Sequence, residues 1–583
     1  MVQSFHTDLI KKVFSMSNSI NIIKRYFKGK FRADLSAGTT VAMIVIPQSL
    51  AYASIAGINP IFGLFTAIVP TIIAAVFGSF PFLITGPTNP TALVTASVLL
   101  GYAGRADYFE LVFALAIIAG LFNIVFGLLK LGGITRYISN SVLVGFLTAA
   151  GVLIIASQLG SLFGIELSKE GGLWGIVSGL GSNLQKVNVF SLLIGITGIV
   201  MMLFIRKLNR KLPASLITVL LTSLLVYLLK WNDSLGVKLV LDIGLPEQIR
   251  LGFHIPNLSL QDFASLGFSG LAVALFGFME TISISKSMSQ MTGEDLDPSR
   301  EMLGQGLASF VGGFFQCMPS AGSPSRTVVN VVSGAKTRWA GVISGISVLT
   351  FLLLFSGLLG YIPIATLAAI VIVSAAGLIN IHLIKLTWQS RIQSRVVMVL
   401  TLVSTLILPM EYAIYIGILS SILIFLGESG QVKLSYIIEN DDGQFIELPM
   451  DRIEERKPQI AIVNIEGDLY FAAAEGLQHQ IERILEMDIK VLIMRFRRTH
   501  LLASTGIMAL DYLIRTARKK DVKVLLCGIH DEIREPLESA GILRIVGGNH
   551  SFSAKEQLFV STQEALKEAK ALIKNKTVPS SEE

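Results

Sequence analysis

The sequence has little charge, few cysteines and few histidines for its length. Only 15% of its 583 residues are charged, whereas about a quarter of a typical soluble protein is charged. Its two cysteines, Cys317 and Cys527, give no disulfide framework and no zinc-binding spacing, and its seven histidines form no ligand set. No phosphate-binding loop or nucleophile motif is present. We therefore predict neither an enzyme nor a protein that holds a metal or a cofactor.

What charge there is lies unevenly along the chain. The first 435 residues are about 10% charged and the last 148 are about 30% charged. With 52% hydrophobic residues and a mean hydropathy of +0.65, the chain is too apolar to be disordered. The pattern predicts a membrane domain followed by a soluble domain. The pI near 9.2 is then no sign of nucleic-acid binding, because the excess positive charge belongs to the loops of the membrane part.

Long apolar runs recur through the first 435 residues. A helix needs roughly 20 apolar residues to cross a bilayer, and its backbone must satisfy its own hydrogen bonds there. Counting the clear runs and the short or broken ones predicts ten to fourteen crossings. Basic residues cluster before the first run and in two later loops, which places these segments in the cytoplasm. The residues concerned are Lys11, Lys12, Lys24, Arg25, Lys28, Lys30, Arg32, Arg206, Lys207, Arg210, Lys211, Lys385, Arg391 and Arg395.

Two segments, 86–94 and 319–329, are too short and too broken to be ordinary spans. Each follows an apolar helix and combines proline with small hydroxyl residues before a β-branched run. Matched interrupted segments in two halves indicate an inverted-repeat transporter. Proline is tolerated in the first turn of a helix, so both segments are predicted to be half-helices whose free N–H groups form an anion site near mid-membrane. The alternative is a pair of ordinary loops or proline kinks.

Two charged residues interrupt the apolar field. Glu280 lies in a run with no basic residue within five positions, so its carboxyl group must face a cavity, find a partner or hold a proton. A carboxylate that reaches headgroup water near a helix end is the alternative. Arg326 lies at the start of the second half-helix, where its charge opposes the dipole unless an anion lies between them. It would otherwise pair permanently with Glu280.

Gln48 and Tyr52 are four residues apart and lie on one face of the first predicted helix. They offer neutral donors to an anion, although a glutamine at a helix interface is an equally good interpretation.

With these motifs the chain resembles the sulfate permease (SulP) family of anion transporters, in its bacterial type, with a C-terminal STAS domain. The resemblance covers about residues 30 to 575. It implies a membrane all-α fold of fourteen transmembrane segments in two inverted seven-helix repeats. These form a core domain and a gate domain, with half-helices 3 and 10 in the core, followed by a cytoplasmic α/β STAS domain. The matching segments are 47–53, 86–88, 280–286, 293–301 and 323–327.

The resemblance also implies roles for the candidate residues. The hydroxyl of Thr88 and the amides of residues 325–327 contact the anion, and Arg326 supplies positive charge. Glu280 is the proton-coupling residue. The residues implied in substrate binding are Gln48, Tyr52, Thr88, Ser325, Arg326 and Thr327.

The predicted function is secondary active transport of a small inorganic anion, with sulfate:proton symport first. In a sodium-coupled bicarbonate member, the fourth residue after the acidic one is a threonine that helps to bind sodium. The equivalent position here is Ile284, which has no oxygen for a hard cation, although Ser283 or Ser285 could substitute. The alternatives are dicarboxylate or bicarbonate transport, coupled to protons or sodium, anion exchange, and an anion sensor that signals through the STAS domain.

The predicted domain organisation is a cytoplasmic N-terminal segment (1–33), a transport domain (34–430), a linker with the first strand (431–458), the STAS domain (459–575) and a flexible tail (576–583). We expect a multi-pass protein of the inner (plasma) membrane with both termini in the cytoplasm. The expected partners are a small oxyanion such as sulfate, a proton, the lipid bilayer and a second copy in a homodimer, with no nucleic acid.

Residues 460–575 alternate predicted strands and helices, as in a small α/β domain with a covered sheet. Related anti-sigma-factor antagonists carry a phosphorylated serine after an aspartate, but here Ala503 precedes Ser504, so Ser504 is predicted to be a helix N-cap. The basic residues Arg495, Arg497 and Arg498 meet anionic headgroups or form a solvated strand end. The domain is expected to regulate or dimerise the transporter.

Overall fold

The computed structural model describes residues 26, 29–136, 138–165, 172–209, 212–243, 251–429, 432–456 and 458–576. Most of the predicted N-terminal segment lies outside these residues, as do Arg210, Lys211 and tail residues 577–583. The chain divides into two compact units, Met1–Ser421 and Ile422–Glu583.

The first unit is almost entirely helical, and its helices arise from the apolar runs. Asn59 and Asp297 cap two of the helices, each followed by a proline in the first turn. The elements are α1 (Phe31–Ile55), α2 (Pro60–Phe77), β1 (Thr85–Gly86), α3 (Asn89–Val98), α4 (Tyr108–Leu128), α5 (Asn140–Phe163), α6 (Gly172–Ser182), α7 (Val189–Leu208), α8 (Ala214–Leu229), α9 (Trp231–Leu235), α10 (Leu260–Ser265), α11 (Gly267–Thr292), α12 (Pro298–Gly313), β2 (Ala321–Gly322), α13 (Pro324–Val332), α14 (Trp339–Leu359), α15 (Ile364–Ala376), α16 (Ile381–Gln389), α17 (Ile392–Ile407) and α18 (Met410–Ser429).

These elements form two series with the same order. Each series has two helices, a two-residue strand, a short helix and then five more helices, and α9 and α10 lie between the series. β1 and β2 pair antiparallel, so corresponding segments run in opposite directions, as an inverted repeat requires. In the described part of the chain, nine helices are long and apolar enough to cross a membrane, and α8 and α17 are shorter apolar helices. The count of fourteen segments stays a prediction.

The long helices of the first unit pack in two groups. In the core group, α4 packs on α12 and α11, and α14 packs on α1 and α2. In the gate group, α5 packs on α15 and α17, and α7 packs on α8 and α15. Helix α1 also contacts α8 and α15, so it lies where the two groups meet.

Helix α12, which precedes the second broken segment, was expected to be apolar, but it is rich in polar and small residues. Its close packing against α4 depends on glycine. A Cβ atom on Gly120 would lie 2.3 Å from the backbone nitrogen of Phe310, and one on Gly306 would lie 2.6 Å from that of Ile124. Small residues let membrane helices approach closely without long apolar side chains.

The second unit contains a six-stranded sheet with helices on both faces. Its strand order is β4-β3-β5-β6-β7-β8; β3 is antiparallel to both neighbours and the other pairs are parallel. The predicted linker region contributes two strands and a short helix to this unit, rather than one strand. The elements are β3 (Lys433–Glu439), β4 (Phe445–Pro449), α19 (Asp451–Arg456), β5 (Ile460–Glu466), α20 (Phe471–Leu485), β6 (Val491–Arg498), α21 (Ser504–Lys519), β7 (Lys523–Ile529), α22 (Asp531–Ser539), α23 (Ile542–Val546), β8 (Ser551–Ser553) and α24 (Val560–Lys576).

One prediction about this unit needs correction. Ala503 is the N-cap of α21, Ser504 is its first residue, and no side-chain hydrogen bond caps the helix. Of the three arginines of β6, for which the sequence left two interpretations open, Arg495 is buried and Arg498 is exposed at the end of the strand. Arg497 donates to the carbonyl of Lys555 at 2.8 Å, and Arg498 pairs with Glu466.

Arg495 is buried and lies 4.7 Å from the ring of Phe559. It donates to Asn464 Oδ1 at 2.8 Å and to Thr562 Oγ1 at 3.1 Å. Burial lowers the pKa of Arg495 below its usual range. The side chain therefore links β5, β6 and α24 inside the domain.

Candidate functional site

The two broken segments meet inside the first unit, as the sequence predicted. Thr85 pairs with Gly322 and Gly86 pairs with Ala321 in a two-stranded antiparallel ladder. Immediately after each strand a short helix begins, α3 on one side and α13 on the other. Both helices pack against α1, so their N-termini face a common region.

The ladder is fixed by hydrogen bonds from side chains of neighbouring helices. Thr71 of α2 donates to the carbonyl of Thr85 at 2.6 Å, and Gln305 of α12 donates to its hydroxyl at 2.8 Å. Thr281 of α11 accepts from the amide of Gly322 at 2.9 Å, and Asn330 of α13 donates to the carbonyl of Phe82 at 2.9 Å. Irregular backbone at this depth must find such partners within the protein.

The first half-helix, α3, begins with a complete capping box. Thr88 is the N-cap, and its hydroxyl accepts from the amide of Thr91 at 3.3 Å. The Thr91 hydroxyl in turn accepts from the amide of Thr88 at 3.1 Å. The sequence analysis identified Thr88 but not Thr91, although the three-residue spacing of two hydroxyl residues is a capping signal.

The second half-helix, α13, begins without a side-chain cap. Ser323 is the N-cap, yet its hydroxyl accepts no bond from a backbone amide of the first turn and has only the Ser325 hydroxyl as a partner, at 3.5 Å. Pro324 follows, and the amides of Ser325 and Arg326 lie in the turn that has no intrahelical acceptor. Ser325 is exposed. The start of α13 therefore offers two donors and an accessible hydroxyl.

Thr327 does not have the role that the resemblance implied. Its hydroxyl accepts from the amide of Ile84 at 3.1 Å, and its amide donates to the carbonyl of Ser323 at 3.0 Å. Because both groups are already bonded within the protein, Thr327 joins the two broken segments and does not present its amide to an anion.

Arg326 is fully buried, with no exposed surface. Its Nη2 atom donates to the carbonyl of Pro87, before α3, at 2.7 Å. Its Nε and Nη1 atoms are buried and have no hydrogen-bond partner. Unsatisfied donors on a buried cation cost free energy, so these two groups require an acceptor that the polypeptide does not supply.

Gly86 gives this guanidinium its space. A Cβ atom on Gly86 would lie 2.9 Å from Nη1 of Arg326, closer than real side chains approach. The glycine of the first broken segment thus positions the cation of the second.

Glu280 lies in α11 and is 3% exposed. Its Oε2 atom accepts from the hydroxyl of Thr88 at 3.2 Å. Glu280 and Arg326, both of which the structure describes, form no ion pair at 4.0 Å or less. The permanent ion pair that the sequence offered as an alternative is therefore absent here. Each of the two side chains can interact with a different ligand.

Gln48 and Tyr52 lie on α1, which packs against both half-helices, and both are buried. The Oε1 atom of Gln48 has no hydrogen-bond partner, so its amide is not held by a neighbouring helix. The structure thus brings Thr88, Glu280 and Arg326, with its neighbour Ser325, together. Gln48 and Tyr52 lie on the helix that packs against both half-helices.

This arrangement suits a small anion and a proton. A buried guanidinium with two unpartnered donors, two free amides and a hydroxyl can replace the hydration of an oxyanion. The buried carboxyl group of Glu280, which accepts a hydrogen bond from the Thr88 hydroxyl at the start of α3, can gain or lose a proton. Among the described residues, no group of three or more His, Cys, Asp or Glu side chains that could hold a metal ion is found.

Known proteins show similarity to both units. Residues 31–401 match the model of the sulfate permease family, and residues 453–565 match that of the STAS domain. The chain is similar to YvdB of Bacillus subtilis (strain 168), which is named as a sulfate transporter. The two are 24% identical over 92% of this chain and 98% of that protein.

It is also similar to low affinity sulfate transporter 3 of Stylosanthes hamata, at 27% identity over 96% of this chain and 91% of that one. The solved structure of the murine Slc26a9 anion transporter superposes with a TM-score of 0.83. At 20% identity, it covers 93% of this chain and 92% of that chain. At this identity the likeness supports the fold alone.

Proposed function

Because the chain belongs to the sulfate permease family and is a multi-pass membrane protein, we propose that it is a secondary active transporter of small oxyanions, with sulfate as the first substrate. The observation that carries the proposal is the buried Arg326, whose Nε and Nη1 atoms lack partners beside the open start of α13. Relatives that cover most of this chain are named as sulfate transporters, which supports sulfate as the substrate.

The proposed anion lies between the starts of α3 and α13. Arg326 donates two charged hydrogen bonds, the amides of Ser325 and Arg326 donate two more, and Gln48 and Tyr52 close the site from α1. Movement of the core group against the gate group then opens this site to one side of the membrane at a time.

The proposed coupling ion is a proton carried by Glu280. Ile284, four residues further along α11, packs in an apolar cluster with Phe82 and Leu83, which supports a proton over sodium. Proton symport also supplies energy: each positive charge moved inward at 100 mV contributes about 2.3 kcal/mol. Two protons cancel the charge of a divalent anion, so the negative interior no longer opposes its entry, and a third proton makes the potential drive its accumulation.

The test is uptake of radiolabelled sulfate into proteoliposomes that contain the full chain. Uptake should rise when the outside is made acidic, and it should be unchanged when sodium is replaced by potassium. Equal uptake with and without the pH gradient would contradict proton coupling. Sodium-dependent uptake of bicarbonate in the same vesicles would favour the alternative coupling.

We further propose that the protein forms a homodimer in the plasma membrane with both termini in the cytoplasm. The proposed bounds of the transport domain are 34–430 and those of the STAS domain are 459–575.

A further inference from the structure

A deep apolar crevice lies between the core and gate groups, on the outside of the helix bundle. Its volume is about 530 Å³, and its walls are formed by α1, α8, α14 and the two residues before Pro363. Leu220 and Leu224 of α8 line it and are 56% and 51% exposed. The crevice is therefore open to the hydrocarbon that surrounds the protein.

The crevice ends at a pair of tyrosines. The rings of Tyr227 and Tyr361 lie 5.6 Å apart at an interplanar angle of 87°. Tyrosine is typical of the boundary between hydrocarbon and headgroups. From Leu216, at the other end of the α8 wall, to Tyr227 the helix rises about 16 Å, roughly the depth of one leaflet of a 30 Å hydrocarbon core.

Beyond the tyrosines lies a second cavity of about 360 Å³, where charged and polar side chains join the apolar ones in the lining. It shares Tyr227 and Tyr361 with the crevice and is also lined by Lys230, Asn232 and Asp233. Lys230 is exposed and, within the described chain, forms no ion pair at 4.0 Å or less. Asp233 accepts one hydrogen bond, from Asn232 Nδ2 at 2.9 Å. One cation and one anion thus line the same cavity without forming an ion pair with each other.

The apolar crevice, the tyrosine pair and the cavity with Lys230 and Asp233 follow one another in the same order as the acyl chain, the glycerol region and the headgroup of one phospholipid. We infer that the two cavities bind a single phospholipid with a zwitterionic, primary-amine headgroup. One acyl chain lies in the crevice along α8 and the glycerol region lies at the tyrosine pair. The phosphate meets Lys230 and the ammonium group meets Asp233. A purely anionic headgroup would place a second negative charge or a neutral group against Asp233.

The site has a consequence for transport. Pro47 lines the crevice, and the next residue, Gln48, belongs to the proposed anion site. The bound acyl chain touches α1 and α14 of the core group and α8 of the gate group. It must therefore be repacked whenever the two groups move past each other, which makes transport sensitive to the lipid.

The experiment is native mass spectrometry of the full chain with equal amounts of phosphatidylethanolamine and phosphatidylglycerol. The wild-type protein should retain phosphatidylethanolamine in preference. Lys230→Gln should weaken this retention about fivefold, the value of one exposed charge pair near 1 kcal/mol. Leu220→Trp should abolish it by filling the crevice. Leu221→Trp is the matched control, because Leu221 is 46% exposed on the same helix but does not line the crevice.

Three results would overturn the inference: equal retention of both lipids by the wild type, equal loss in Leu220→Trp and Leu221→Trp, or full retention in Lys230→Gln. Lys230 is exposed, so its replacement leaves folding intact and gives a readout independent of the crevice variant. Bound lipid is measured without transport, so the result stands whether or not the proposed sulfate uptake is observed.

Discussion

The two half-helices at the centre of the membrane unit start in different ways, although they occupy equivalent positions in the two repeats. Helix α3 begins with the reciprocal Thr88–Thr91 cap and has no exposed residue in its first turn. Helix α13 begins at Ser323 without a side-chain cap, exposes Ser325 and carries the buried Arg326. The start of α3 has a side-chain cap that bonds to its first turn, whereas the first-turn amides of α13 have no side-chain cap.

This difference suggests a division of labour. The closed start of α3 shares its Thr88 hydroxyl with Glu280 and so belongs to the proposed proton site. The open start of α13 and the unpartnered donors of Arg326 belong to the proposed anion site. The two sites are joined by the bond from Arg326 to the carbonyl of Pro87, the residue before Thr88. A displacement of one half-helix therefore also alters the position of the other.

The largest effect is expected from Arg326→Gln, which removes the cation of the open half-helix. A hydrogen bond from a charged donor contributes about 1.5–3 kcal/mol, so losing two should weaken sulfate binding by about 100-fold or more. Sulfate affinity measured by calorimetry on the purified protein checks this. Arg338→Gln is the control, since Arg338 donates to the carbonyl of Val76 and lies away from the start of α13. Near-normal affinity in Arg326→Gln would remove the basis of the anion site.

Glu280→Gln tests the proposed proton site, which Glu280 forms with Thr88 at the start of α3. An amide keeps a bond with Thr88 but cannot carry a proton, so pH-driven accumulation of sulfate should be lost while exchange of bound for free sulfate continues. Both are measured in proteoliposomes, with the exposed Glu294→Gln as the control. Accumulation that still follows the pH gradient in Glu280→Gln would assign the proton to another group.

Gly86→Ala tests the contact between the two half-helices. The added Cβ atom must displace the guanidinium of Arg326, so we expect sulfate affinity to fall about tenfold, which corresponds to about 1.4 kcal/mol. Gly101→Ala is the matched control, because a Cβ atom added at Gly101 would have no neighbouring atom within 4 Å. If both variants bind sulfate equally well, the position of the guanidinium does not depend on Gly86.

The smallest effect is expected from Ser323→Ala, in a direct comparison of the two caps. Thr88→Ala removes a side-chain cap and the bond to the buried Glu280, and should destabilise the membrane unit by about 2 kcal/mol, whereas Ser323→Ala removes no cap and should change stability by less than about 0.5 kcal/mol. Thermal unfolding in detergent measures both. Equal destabilisation would show that the two starts are energetically alike.

Much of the fold was predictable because its signals are local. Hydropathy located most membrane helices, and proline beside small hydroxyl residues located both half-helices. Helix α12 was expected before the second half-helix, but as an apolar helix, whereas glycine contacts with α4 hold it in place. Ser504 was misassigned because the helix begins at Ser504 itself and is capped by Ala503, a boundary that propensity resolves only to a residue or two.

The sequence predicted which residues form the candidate site better than it predicted the hydrogen bonds that they make. Arg326 and Glu280 stood out as charged residues in an apolar field, which is costly without a function, and the family resemblance added Thr88. Thr327 belonged to the same motif, yet its bond to Ile84 makes it part of the scaffold. Thr91 and Gly86 were not selected, because a threonine and a glycine are ordinary residues until a partner is known.

The sequence alone determined where the chain enters lipid, where its helices break and which charges lie at the breaks. These properties depend on neighbouring residues and on the cost of burying charge and backbone in hydrocarbon. Only the tertiary structure decided that Thr88 bonds to Glu280, 192 residues away, and that Thr327 bonds to Ile84, 243 residues away. Hydrogen bonds across such separations depend on how whole helices pack, so no local pattern specifies which donor remains free for an anion.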